Sequence, residues 1–189
     1  VNELLNIRNQ LINYLSEGDT SIDVGANHGS YSIIASKLVG RNGLIIAVEP
    51  QPRLAKLLET SLSLNKCYHY EIHQIACGNR NDSVEFYIPN FNSGEAGIFP
   101  GFSAIKNYHK IKVNMKRFDE AFDWRNFPGK VFMKVDIEGS EYEFFRGAKE
   151  MISARKPVIM LAVHPFISEI TNVTGSAFRM LLSELGYQH

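Results

Sequence analysis

The chain has 189 residues, a hydrophobic fraction of 44% and equal numbers of acidic and basic side chains, 20 of each. That size and apolar content suit one domain with a full core, and a net charge of zero supplies no global field to gather nucleic acid or an anionic membrane. The longest apolar runs, such as Pro157 to Val163, are too short for a membrane span, and the N-terminus carries no signal-peptide pattern. The two cysteines, Cys67 and Cys77, read as small buried or half-buried side chains and suit a reducing cytoplasm, the expected compartment.

An amphipathic helix is predicted over Asn2 to Ser16, within an N-terminal helical segment 1–18. A short buried strand follows at Ser21 to Val24, then a glycine-rich turn and a helix from Ser30 to Leu38. The second strand runs from Gly43 to Val48. The next helix, Pro52 to Leu64, has Pro52 in the first turn, where a missing N–H is harmless, and a one-sided stripe of Leu54, Leu57, Leu58, Ser61 and Leu62. A third strand spans Tyr68 to Ile75. The alternation of strand and helix is then interrupted by an insertion, 79–128, in which Ser83 to Ile88 and Lys110 to Met115 alternate like half-exposed strands. Between them lies a long loop, Pro89 to His109, with Phe91, Phe99 and Phe102; such loops are lids or binding loops, or are pinned to the core by their aromatics. A fourth strand, Lys130 to Val135, closes on Asp136-Ile137-Glu138-Gly139. A helix from Ser140 to Ile152 carries Glu141 and Glu143 in its first turn, where they complement the dipole. The fifth strand, Val158 to Val163, ends at His164-Pro165, and a last helix from Gly175 or Ser176 to Leu185 stops at Gly186. Such alternation predicts an α/β fold with a mainly parallel sheet, in a single domain 1–189.

The strand ends carry the chemistry. Gly25 and Gly29 let the backbone turn sharply and approach a ligand closely. Glu49, ending the second strand in Glu49-Pro50, offers two acceptor oxygens to a pair of vicinal ribose hydroxyls. The turn is not a dinucleotide fingerprint, because Asn27 and Ser30 stand at the second and third glycine positions, and no P-loop run occurs. Asp23 repels a pyrophosphate and favours a cationic amino-acid moiety; its alternative role is a helix cap. S-adenosylmethionine, with its sulfonium, ammonium and adenosine, fits both acids. The expected cofactor-binding residues are Asp23, Gly25, Ala26, Asn27, Gly29, Glu49, Pro50 and Ala76, with the Gln74 to Cys77 stretch at the adenine edge. His28 is assigned no catalytic part.

Asp23-Val24-Gly25-Ala26-Asn27-x-Gly29, Glu49-Pro50, Val135-Asp136-Ile137-Glu138-Gly139-Ser140-Glu141 and Arg146-Gly147 together resemble the FkbM family of S-adenosylmethionine-dependent methyltransferases over about Ser21 to His164. The resemblance implies a class I methyltransferase fold, a Rossmann-like three-layer sandwich. It also implies O-methylation of a hydroxyl on a sugar, a glycan or another natural-product small molecule. Two departures stand out. Family members often carry a glutamate just before the fifth-strand histidine, where this chain has Leu161-Ala162-Val163-His164. The class I sheet also finishes with a β-hairpin, whereas this chain stops at Gly186-Tyr187-Gln188-His189, so the sheet is expected to lack part of that hairpin.

A hydroxyl acceptor is a poor nucleophile until its proton is being removed. Asp136, Glu138 and His164, at the ends of the fourth and fifth strands, are the expected catalytic residues, His164 being best suited to exchange a proton near neutral pH. Each has a plainer role: Asp136 holding a backbone N–H, Glu138 capping the next helix, His164 a satisfied strand-end histidine. The same three side chains also resemble a divalent-metal ligand set, though no metal is assigned on sequence alone. The expected partner is a small-molecule or glycan hydroxyl acceptor, with no nucleic acid and no membrane span. A nucleic-acid amino-methylating enzyme is disfavoured, since an Asn/Asp-Pro-Pro-Tyr turn is missing after the fourth strand. The other reading is a catalytically weak, methyltransferase-like binding or scaffold domain of a larger biosynthetic protein.

Overall fold

A computed structural model describes residues 2–90, 95–99, 107–164, 171 and 173–188. In chain order the elements are α1 (Asn2–Leu11), β1 (Thr20–Val24), α2 (Ser30–Val39), β2 (Leu44–Val48), α3 (Pro52–Leu64), β3 (Tyr70–His73), β4 (Ala76–Cys77), β5 (Asp82–Pro89), β6 (Tyr108–Lys116), α4 (Phe118–Ala121), a 3-10 turn (Trp124–Asn126), β7 (Val131–Val135), α5 (Glu141–Gly147), α6 (Lys149–Arg155), β8 (Val158–Leu161) and α7 (Gly175–Glu184). They fall into two compact units. One comprises Val1–Ala76, Asp123–Val135 and Pro157–Leu161; the other comprises Cys77–Phe122, Asp136–Lys156 and Ala162–His189. Among the described residues no helix is long and apolar enough to cross a membrane.

The first unit holds a five-stranded sheet in the order β3-β2-β1-β7-β8, parallel throughout. This is the mainly parallel α/β architecture that the alternation predicts, and it agrees with the Rossmann-like fold that the resemblance implies. The register aligns Val24 with Val48 on one side and with Val135 on the other, so the C-terminal tips of the three central strands lie level. Strands buried on both faces should read as continuous apolar runs, and Ile22, Ile45, Ile46 and Met133 are fully buried accordingly. Ile7, Leu11 and Leu15 join Ala35, Val39, Leu58, Leu62 and Phe132 in one apolar cluster. The first helix ends at Leu11 rather than Ser16, because the Asp19 carboxylate accepts the Ser16 N–H at 2.9 Å and turns the chain toward β1, while Leu15 stays buried. The third strand is shorter than Tyr68 to Ile75, and Ala76–Cys77 pairs in a different sheet.

The second unit contains the insertion. Its three-stranded sheet has the order β4-β6-β5, with β5 and β6 antiparallel and Val84 opposite Val113. The loop between them is tied back where Tyr87 and Gly97 exchange backbone hydrogen bonds of 2.8 and 3.1 Å. Phe99 is half-buried; Phe91, Phe102, Pro165 and His189 lie outside the described residues. Phe118 stacks on Phe122 at 4.2 Å and meets Phe144 edge-on, and Phe145 meets Phe178 of α7. Burial pushes the Cys77 thiol up to about 12, which makes it an inert structural side chain.

The helix predicted from Ser140 to Ile152 is two helices, broken at Ala148. A Cβ at Gly147 would collide with the carbonyl of Gly78, so the backbones touch there and only glycine fits. The break is then capped from elsewhere: Asp119 accepts the Glu150 and Met151 N–H groups, each at 2.9 Å. Replacing a side chain that satisfies first-turn N–H groups costs about 1–2 kcal/mol. Asp119→Ala is therefore expected to lower the unfolding free energy by about that amount in a urea titration, and Asp119→Asn by less. At the chain's last helix, Thr174 accepts the Ala177 N–H, and Gly186, at φ 88°, ends the helix as the sequence predicts.

Candidate active site

The glycine turn leaves β1 through left-handed backbone at Gly25, Asn27 and Gly29, with φ of 82°, 52° and 94°. Its start is stitched to β2: Gly25 and Ala26 both donate to the Val48 carbonyl at 3.0 Å. Gly29 packs so closely on α3 that a Cβ there would stand 2.6 Å from a Leu58 methyl. Glu49 directs its carboxylate at this turn. Oε2 accepts the Asn27 N–H and Oε1 the Gln51 N–H, both at 2.9 Å. Two backbone donors leave lone pairs on both oxygens for a ligand's hydroxyls. Burial pushes this carboxyl up to about 6; the two backbone donors pull it down, Asp23 adds to the rise and Lys134 opposes it. Ala26, Pro50 and Ala76 are buried, and Gly25 is half-buried. His28 is exposed and hydrogen-bonded to Asn27 and Ser30.

Asp23 does not take its alternative role as a helix cap. Its Oδ2 accepts the Ser32 hydroxyl at 2.8 Å rather than a backbone N–H, and α2 has no side-chain cap. Its Oδ1 lies 3.3 Å from the ammonium of Lys134, the residue directly opposite it in the β1·β7 register. Lys134 also donates to the Gly25 carbonyl at 3.1 Å and sits 5.1 Å above the Tyr31 ring. The negative charge of Asp23 is thus matched inside the protein, and Glu49 is the acid aimed at the turn. Lys134 escaped the sequence reading, although a lone cation in an otherwise apolar strand, Val131 to Val135, was a legible sign of a buried pair.

In the second unit, Asp136, Glu138 and His164 come together. His164 Nε2 is 3.4 Å from Glu138 Oε2 and 3.8 Å from Asp136 Oδ1. On its other side, Nδ1 is 2.9 Å from Glu141 Oε1, and since a carboxylate only accepts, the proton sits on Nδ1. Glu141, buried, also accepts the Ile137 and Gly139 N–H groups at 3.2 and 3.0 Å. It therefore fixes both the turn and the imidazole, a task that the dipole role predicted for it does not include. Glu138 turns through a left-handed φ of 50° and caps no helix through its side chain; Ser140 is the N-cap residue of α5. Burial raises the Glu138 carboxyl; His164 opposes this, and Asp136, Glu141 and Glu95 add to it.

A family model described as the Methyltransferase FkbM domain matches residues 23–189. Protein-L-isoaspartate O-methyltransferase from Methanococcus aeolicus is 34% identical over 65 residues, which is 34% of this chain and 29% of that protein. The Caenorhabditis elegans protein of the same description is 35% identical over 52 residues, 28% of this chain and 23% of its own. The chain thus matches less than a third of the length of these curated relatives. Among solved structures, methyltransferase FkbM from Methylobacillus flagellatus KT superposes with a TM-score of 0.60 at 18% identity, covering 89% of this chain and 38% of that one. Precorrin-6y C5,15-methyltransferase from Geobacter metallireducens GS-15 gives 0.52 at 20% identity, over 97% and 71%. At those identities the likeness is one of fold. With the matched domain model running from Asp23 to the end of the chain, this protein belongs to the FkbM methyltransferase family.

Proposed function

We propose that the chain is an S-adenosylmethionine-dependent O-methyltransferase whose acceptor is a hydroxyl of a sugar, a glycan or another natural-product small molecule. The observation that carries this reading is Glu49, buried yet directed at the glycine turn with lone pairs to spare. A buried carboxylate placed that way suits a ribose diol. Gly25, Ala26, Asn27 and Gly29 give the turn the shape for close backbone approach, and Pro50 and Ala76 add apolar wall. When bound, S-adenosylmethionine supplies an electrophilic methyl group on a sulfonium.

The rest of the chemistry belongs to the chain. His164 Nε2 carries a lone pair and takes the acceptor's hydroxyl proton; Glu141 holds the ring and stabilises the imidazolium that forms. Asp136 and Glu138 stand beside Nε2, 3.8 and 3.4 Å away. Both curated relatives are named as O-methyltransferases, which supports transfer to oxygen. The test is titration calorimetry with S-adenosylhomocysteine, followed by labelled methyl uptake on a panel of sugars and oligosaccharides. Saturable binding and uptake are expected; no binding at all overturns the proposal. His164→Ala is expected to lower uptake by about 10²–10⁴-fold, the usual range for a general base, while S-adenosylhomocysteine affinity stays unchanged.

A further inference from the structure

We propose that Asp136, Glu138 and His164 bind one divalent transition-metal cation. One donor atom from each residue lies within 4.8 Å of the other two. The His164 Nε2 distances, 3.4 Å to Glu138 and 3.8 Å to Asp136, are too long for good hydrogen bonds. They are right for donors sharing an ion: carboxylate oxygen and imidazole nitrogen sit about 2.0–2.2 Å from such a cation, which puts neighbouring donors roughly 3 to 4.4 Å apart.

The imidazole is already set for ligation. Nδ1–H donates to Glu141, so the Nε2 lone pair faces the two carboxylates, the carboxylate–histidine arrangement that backs metal-bound imidazoles. Glu141 is itself anchored by two backbone N–H groups. Two carboxylates and a neutral ring present a charge that a dication balances. A ligand set of two oxygens and one nitrogen suits manganese, iron, cobalt or zinc better than magnesium or calcium, which favour oxygen alone. Three protein ligands leave coordination positions open. A hydroxyl held there would lose its proton to solvent more readily, and His164 would then serve as a ligand, acting as the base only in the cation-free chain. That role rests on the methyl-transfer reading; the site itself does not.

The experiment is a manganese titration of the chelator-treated chain, with the free aquo ion followed by electron paramagnetic resonance and neither methyl donor nor acceptor present. One saturable site per chain in the sub-millimolar range is expected. Glu138→Gln, nearly isosteric, and His164→Ala are expected to abolish it. Glu141→Gln, which removes only the backing carboxylate, should weaken it about 10- to 100-fold. His69→Asn, at an exposed histidine elsewhere, should leave it unchanged. Absence of saturable binding in the unaltered chain overturns the site. So does unaltered affinity in Glu138→Gln, a variant whose thermal melt shows directly that it is folded. Loss of methyl uptake with manganese binding intact counts against the proposed function alone.

Discussion

Glu49→Ala is expected to abolish measurable S-adenosylhomocysteine binding in a calorimetric titration while leaving the circular dichroism spectrum unchanged. The carboxylate does two things at once: it holds the Asn27 N–H, which fixes the left-handed turn, and it offers the remaining lone pairs to a diol. Hydrogen bonds to charged groups contribute about 1.5–3 kcal/mol each, so losing a bidentate set of two costs at least two orders of magnitude in affinity. The pH dependence has a definite sign. The folded carboxyl is raised from 4.5 to about 6, so folding favours its protonated form. The stability it contributes is fully present below pH 4.5 and is lost as the pH rises through about 6. The ionised group then costs about 2 kcal/mol, since each tenfold change in a proton equilibrium is worth about 1.4 kcal/mol. Hydroxyl donors reverse part of that cost, because they stabilise the carboxylate. Binding is therefore expected to tighten as the pH rises through about 6 and to release protons in that window. Calorimetry in two buffers of different ionisation enthalpy reads the release directly; pH-independent affinity would argue against Glu49 as the hydroxyl acceptor.

The second large effect concerns stability. Lys134→Met is expected to lower the unfolding free energy by about 3–5 kcal/mol, the cost of leaving one member of a buried ion pair without its partner. Side-chain exposures of 11% for Lys134 and 4% for Asp23 put the pair in that regime rather than the surface one. The same substitution frees the Gly25 carbonyl, so cofactor affinity should fall with it. Adding Asp23→Asn removes the orphaned charge, and most of the lost stability should return in the double variant. Recovery in urea unfolding, without recovery of cofactor affinity, would separate the electrostatic role of Lys134 from its hold on the turn. Equal stability of Lys134→Met and the unaltered chain would mean that the pair contributes nothing.

Much of the sheet was legible because its signals are local. Short apolar runs, the Gly25 to Gly29 turn and Pro52 at a helix start each specify their own backbone, and the parallel order follows from their alternation. The acids at the strand ends were legible for the same reason. What escaped depends on distant residues meeting. Nothing local to Asp23 announces its cation, which lies across the sheet, and Gly25 is bonded to a lysine 109 positions away. The helix after Asp136 read as continuous because nothing in its own sequence announces the Gly78 carbonyl pressing on Gly147. Glu141 read as a dipole partner, since the ring it holds is His164, in a later segment of the chain.

The enclosed ammonium of Lys134 has a practical use. Anchored between a carboxylate, a carbonyl and an aromatic face, it should resist acylating reagents that modify the exposed lysines within minutes. Its slow appearance in a peptide map would time the breathing of the strand tip where the bend begins, and a ligand that clamps the bend should lengthen that delay.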